Sequence, residues 1–168
     1  MQNQINVLTA VPADKGQLFS VAGGVYRIII SGKETGGAYA AIEMLVPAGG
    51  GPNPHAHPDI QESFYVLEGE IEVKNESGSQ TVRQGGFVNI PFGGMVHCFK
   101  NKTGKLARLL CVVVPSGLEE FFMALGKPID SIEFLPAPVP DAAMMEKIKA
   151  TAEKYGQILY APDYLDQK

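Results

Sequence analysis

The chain contains three histidines, and all of them fall where their imidazoles can meet. His55 and His57 stand two apart in the glycine- and proline-rich stretch GGGPNPHAHPDIQESFYVLEG (49–69), with the carboxylate of Glu62 five residues beyond. The third, His97, lies forty residues past His57 in GGFVNIPFGGMVHCFKN (85–101). Side chains alternate faces along a strand, so His55 and His57 are expected on one side, held there by Pro54 and Pro58. A strand beginning at Glu62 places Glu62, Phe64 and Val66 on a common face, and His97 shares a face with Phe99 while Cys98 turns away. Three imidazoles and one carboxylate suit a divalent transition metal: iron, manganese, cobalt, nickel, copper or zinc. Calcium and magnesium require mostly oxygen donors. Four donors on a six-coordinate ion leave one or two positions open, which is what Lewis-acid or oxygenase chemistry requires.

Composition narrows what surrounds such a centre. At 168 residues, with 45% hydrophobic and 19% charged residues, the chain is about one globular domain with a core of its own. A net charge of −4 argues against a nucleic-acid partner, which would need clustered Lys and Arg. No apolar run is long enough to span a bilayer, so no membrane partner is expected. The start, MQNQINVLTAVPADKG, lacks the basic residues and apolar core of a signal peptide, and Cys98 and Cys111 make no disulfide framework. Both read as buried free thiols, and the expected location is the cytoplasm. The glycine runs match neither a phosphate loop nor a dinucleotide fingerprint. With every histidine committed, no hydrolytic triad can be assembled.

The elements that must position the four residues read as short strands. Residues 5–46 hold VYRIIISG (25–32) and AYAAIEMLVP (38–47), separated by glycine turns. ESFYVLEGEIEVKN, TVRQGGFVNIP and MVHCFKN continue the pattern, and LARLLCVVVPSG (106–117) reads as a central strand. Eight or more strands spaced by turns indicate a sandwich, jelly roll or barrel, hence an all-β class. The chain then changes period. Ser116 and Glu119 fit a capping box ahead of a helix over 117–125 carrying Leu118, Phe121, Phe122 and Leu125. FLPAPVPD (134–141) reads as a stiff linker, and Asp141 caps a second helix whose stripe is Met145, Ile148, Ala152 and Tyr155. Residues 1–126 are expected to form the barrel with its flanking strands and capping helix. Residues 127–168 supply the linker and C-terminal helical appendage of the same domain.

Gly49, His55, His57, Glu62 and Gly69 match the first cupin motif, G(X)5HXH(X)4E(X)6G, and Gly85, Pro91, His97 and Asn101 resemble the second, G(X)5PXG(X)2H(X)3N. The second departs by one residue: Gly94, not Gly93, keeps the spacing to His97. The chain thus resembles the cupin superfamily, and its flanks are similar to single-domain cupins of the quercetin 2,3-dioxygenase-like group. That resemblance implies a double-stranded β-helix, or jelly-roll barrel, and a homodimer. It also implies a metal-dependent dioxygenase acting on a hydroxylated aromatic small molecule of flavonoid or polyketide type, with Glu62 as both ligand and catalytic proton acceptor. The other expectations are an isomerase, decarboxylase or lyase, which would need a cationic anchor for an acidic substrate, and a non-catalytic binding protein. Met44, Phe64, Phe92, Met95, Phe99, Phe121 and Phe122 are the substrate-pocket candidates, each with plain core packing as its competing role. The 117–125 helix is placed either across the barrel mouth or over a sheet edge.

Overall fold

The computed structural model describes residues 7–167, so the first two residues of the expected 5–46 strand region lie outside the described residues. Two antiparallel sheets face each other as a jelly-roll barrel. The larger contains β1 (Gln17–Val21), β2 (Gly24–Ile30), β3 (Ala40–Val46), β5 (Gln61–Glu68), β8 (Phe87–Ile90), β10 (Ala107–Val114) and β11 (Lys127–Ile129), in the order β11-β1-β2-β3-β10-β5-β8. The smaller contains β4 (His55–Ala56), β6 (Glu70–Asn75), β7 (Gly78–Arg83), β9 (His97–Lys100) and β12 (Ile158–Leu159), in the order β12-β4-β9-β6-β7. The apolar β10 lies between β3 and β5, as its composition requires, with Cys111 opposite Ile42 on one side and Phe64 on the other. Alternate residues of β3, β5 and β10 point inward, so Ile42, Met44, Phe64, Val66 and Leu109 fill the space between the sheets.

The helices correct two details of the sequence reading. The S-x-x-E pattern occurs twice, and the complete capping box forms at Ser31 and Glu34 on the short α1 (Gly32–Thr35), a segment read as a turn. Ahead of α2 (Leu118–Leu125) the N-cap is Gly117, whose φ of 142° favours glycine, and Ser116 makes no cap. Glu119 turns inward instead, where its carboxylate accepts the amide N–H groups of Gly32 at 2.9 Å and Gly117 at 2.6 Å. It therefore fastens the start of α2 to the end of β2. On α3 (Ala142–Lys154), Asp141 caps through the Met144 amide as expected. Its covered side is Met144, Ile148, Ala152 and Tyr155, whereas Met145 is exposed, because 144, 148 and 152 stack at the four-residue helical spacing.

The segment beyond α2 is tied to the barrel at two points. β11 pairs with β1, and β12 pairs with β4, the strand that carries His55. Leu165 is buried against Ala56, Val96 and Cys98 on the outer side of the smaller sheet.

On the outer side of the larger sheet, Glu43 is clamped between two arginines. Arg27 Nε donates to it at 2.8 Å, and Arg108 donates through both Nε and Nη2. Burial alone would raise the Glu43 pKa, but the hydrogen bonds from Arg108 and Arg27 outweigh it and hold the carboxyl below its ordinary value. A folded-state pKa below the unfolded one adds stability above the unfolded value, and that stability is lost as pH falls through the folded one. Glu43→Gln should therefore lower unfolding stability by about 1–3 kcal/mol at pH 7. Urea titrations of both proteins at stepped pH should show the gap closing as pH falls below the usual carboxylate range; a gap independent of pH would refute this account.

Candidate metal centre

The strand order brings the four sequence-selected residues together. His55 on β4 and His97 on β9 are directly paired across the two strands, with ring centroids 4.4 Å apart. His57 lies just past β4 in the turn to β5, closed by the Ile60 amide bonding to the His57 carbonyl, and its ring meets His97 edge-on at 4.8 Å. Glu62 reaches across from the larger sheet. One ligand atom from each residue falls within 4.8 Å of every other. Donors this close could be shared by one divalent ion at the metal–ligand distances of about 2.1 Å that imidazole and carboxylate take.

Glycine makes the approach possible at two points. A side chain at Gly51 would lie 2.1 Å from the Phe99 carbonyl oxygen, so only glycine lets the chain entering β4 pass this close to β9. Gly94, with φ of 78°, abuts Pro58 and lets the loop before His97 close over the turn after His57. Asn101, the last residue of the second motif, holds no ligand position. It is buried and bonds the carbonyls of Val46 and Lys105 while accepting from Thr103, which fixes the turn after β9.

Hydrogen bonding orients all three rings the same way. Nδ1 of His55, His57 and His97 lies 2.9, 2.8 and 2.9 Å from the carbonyl oxygens of Asn53, Ile60 and Met95. A carbonyl only accepts, so each Nδ1 carries a proton, and Nε2 is the nitrogen that each ring turns inward and can offer to a metal. His57 Nε2 stands 3.2 Å from Glu62 Oε2, and His97 Nε2 stands 3.5 Å from the same oxygen without hydrogen-bond geometry, leaving that buried nitrogen without a hydrogen-bond partner among the described residues. A cation between the nitrogens and the carboxylate would satisfy every one of these atoms. The backbone carbonyls behind the rings are the outer-shell contacts that histidine ligands ordinarily have. The cluster could thus hold a transition metal ion, and its nitrogen-rich donor set fits no hard alkaline-earth ion.

The electrostatics are divided among the four. Burial, then the neighbouring His97, push His55 down to about 4. For His57 burial also disfavours the charge, but the Glu62 carboxylate outweighs it and the pKa is raised. Burial would raise Glu62, yet its contacts with His57 and His97 hold the carboxyl far below the usual range. Behind Glu62, the buried Cys111 thiol donates to Oε1 at 3.2 Å. Burial and then the Glu62 charge raise the pKa of Tyr26, which lies in the barrel core with its ring edge-on to Phe122 at 4.8 Å.

The pocket candidates separate into groups. Met44, Phe64 and Phe99 are fully buried, and Phe64 packs edge-on against Phe99 at 5.2 Å, so they build the core beneath the site. Phe121 and Phe122 pack from α2 against that core. Phe92 and Met95 lie on the loop before His97, 51% and 41% exposed. Of these candidates Met95 lines a cleft of about 800 Å³ that reaches His97 and runs between β6, β7 and β8. Its other walls include Asn75, Gln80, Val82, Asn89 and Ile90, none of them singled out from the sequence. β7 and β8 are edge strands of their respective sheets, so the cleft opens where the barrel wall is not hydrogen-bonded. The β7–β8 edge was legible only as two short strands around a turn. Cys111, read as a buried free thiol, is one, but neither it nor Tyr26 could be placed beside Glu62 from the sequence, because their strands are apolar on both faces.

Comparison with known proteins agrees with this geometry. The cupin domain family model matches residues 42–113. A curated relative, quercetin 2,3-dioxygenase of Bacillus subtilis (strain 168), is 27% identical over 106 residues, covering 63% of this chain. The match spans 31% of that protein's length. Among solved structures, KdgF from Halomonas sp. is similar at TM-score 0.58 and 18% identity, covering 67% of this chain and 99% of its own. The polyketide cyclase RemF from Streptomyces resistomycificus is similar at TM-score 0.57 and 18% identity, covering 86% and 99%. At these identities the structural likeness speaks for the fold.

Protons and metal compete for the same nitrogens. His57, with its pKa raised, is the first of the pair with His55 to take a proton as pH falls, whereas His55 stays neutral until about pH 4. Metal affinity should therefore rise with pH up to the His57 pKa and fall by up to about tenfold per pH unit below it. Elemental analysis after equilibration with cobalt or manganese at stepped pH measures this. Replacing His57 with alanine should cost most of the bound metal, and undiminished metal content in that variant would remove His57 from the site.

Proposed function

Because the chain belongs to the cupin superfamily, we propose that His55, His57, Glu62 and His97 ligate one divalent transition metal ion and that the protein is a dioxygenase for a hydroxylated aromatic compound. The single observation that carries the metal assignment is the buried, unpartnered Nε2 of His97, aimed with His57 Nε2 at one oxygen of Glu62. When bound, such a metal supplies Lewis-acid activation of a substrate hydroxyl oxygen and open positions for dioxygen. The protein's own groups do the rest. The three Nδ1–carbonyl contacts orient the imidazoles and turn Nε2 of each towards the site. The cleft beside β7 and β8 admits a planar molecule towards His97, with Val82, Ile90 and Met95 offering apolar contact and Asn75, Gln80 and Asn89 offering polar contact. Glu62 accepts the proton of the substrate hydroxyl through its carboxylate.

The choice of substrate class rests on the arginines. Arg27 and Arg108 are spent on Glu43 at the outside of the barrel, and Arg83 pairs with Glu70 at 3.0 Å near the cleft rim. Among the described residues none of the three ion-pairs with Glu62, and Arg83, which lines the cleft, is engaged by Glu70, which disfavours an isomerase, decarboxylase or lyase that must anchor a carboxylate or phosphate beside the histidines. The quercetin 2,3-dioxygenase relative supports the oxygenase reading over the matched segment.

Oxygen-electrode assays with protein loaded separately with iron, manganese, cobalt, nickel, copper or zinc, against a panel of flavonols and polyketide phenols, should show substrate-dependent uptake with at least one metal. Glu62→Gln should reduce that uptake by about 10²-fold or more. No uptake with any pairing, despite stoichiometric metal, would refute the dioxygenase.

A further inference from the structure

The two oxygens of Glu62 have different neighbours. Oε2 faces His57 Nε2 and His97 Nε2, and Oε1 faces the Cys111 sulfur at 3.2 Å. Among the described residues Cys111 is the one hydrogen-bond partner of Oε1. Cys111 sits in the middle of β10, paired on both sides by β3 and β5, and is wholly buried. Its backbone is therefore among the least movable in the barrel. An ionised carboxylate has no proton to give, so in this contact the thiol donates and Oε1 accepts.

From this geometry we infer that Cys111 is a positioning residue that holds Glu62 as a one-oxygen ligand, with Oε2 turned to the metal and Oε1 kept off it. This rests on the metal assignment proposed above. A carboxylate free to rotate would offer both oxygens to the ion and occupy a position otherwise open to substrate or dioxygen. The thiol suits the task because it is a weak donor. It fixes orientation yet withdraws little charge from Oε1, so Oε2 keeps its basicity as ligand and proton acceptor. The unpartnered Nε2 of His97 stands on the opposite side of Glu62 and marks where the carboxylate must point.

The test compares wild type, Cys111→Ala and Cys111→Ser by cobalt affinity, measured by chelator competition, and by the visible spectrum of the cobalt-loaded protein. Cys111→Ala should bind cobalt about tenfold more weakly and show an altered ligand-field spectrum, as loss of an outer-shell contact does. Cys111→Ser, which keeps a donor, should restore affinity to within about threefold and restore the spectrum. Wild-type affinity and spectrum in a folded Cys111→Ala protein would overturn the inference, as would an equal loss in both variants. Should either variant fail to fold, the thiol stretching band of a Cys98→Ser protein decides the matter. Cobalt drains charge from Glu62 and should move that band towards the frequency of a free thiol, and an unmoved band would overturn the proposal. Failure of the wild type itself to bind cobalt would strike at the metal assignment instead, so the two failures are distinguishable.

Discussion

Everything in the barrel is arranged around one buried carboxylate. Glu62 is withdrawn from water, and among the described residues no lysine or arginine pairs with it. An uncompensated charge in such a place costs several kcal/mol or more. The fold meets that cost with imidazoles, which can be charged or neutral, and not with a permanently charged partner. The arrangement is conditional by construction. With protons on the rings it is an ion-pair cluster, and with a metal among them it is a coordination site, and both states stabilise the same carboxylate. A guanidinium in the same position would have made the carboxylate permanently content and the site useless for binding a cation.

Two sheets are needed to build this. The histidines come from short strands and turns of the smaller sheet, where glycine and proline let the backbone approach closely, while Glu62 comes from the long, regular β5 of the larger one. The irregular half supplies precise placement of several ligands from few residues. The regular half supplies a stiff anchor, continued beneath the site by Phe64, Met44 and Leu109, with Phe99 of the smaller sheet packed on Phe64. With that end of the barrel filled, the free edges of β7 and β8 are where a small molecule finds room, because no ladder of hydrogen bonds has to be broken there.

The ligands were legible because their residue types are rare in this chain and their spacing is tight. The strand-rich fold was legible from turn chemistry and short apolar runs. What the sequence hid follows from one loss of information: VYRIII and LARLLCVVV are apolar on both faces, so alternation cannot say which residues point inward. Only the pairing of Tyr26 with Met44 and of Cys111 with Phe64 turns Tyr26 and Cys111 towards the interior. The capping box was misplaced for a related reason. Ser31–Glu34 and Ser116–Glu119 are equal as strings, and the choice between them is made by the Gly32 and Gly117 amides that claim the Glu119 carboxylate. Phe92 and Met95 sit together in a loop whose course no periodicity describes.

The pairing of β12 with β4 has a practical side. Leu159 lies opposite His55, the Tyr160 amide bonds to the Pro54 carbonyl, and Leu165 is buried against the residues flanking the histidines. The C-terminal segment is therefore the outer wall of the strand that presents one of the imidazoles. A polyhistidine purification tag joined shortly after Leu165 would begin beside that wall, adding flexible imidazoles near a site whose defining property is its own three. Metal counts and affinities taken on such a protein would mix the two populations, and a tag at the other end of the chain, or one removed by cleavage, keeps them apart.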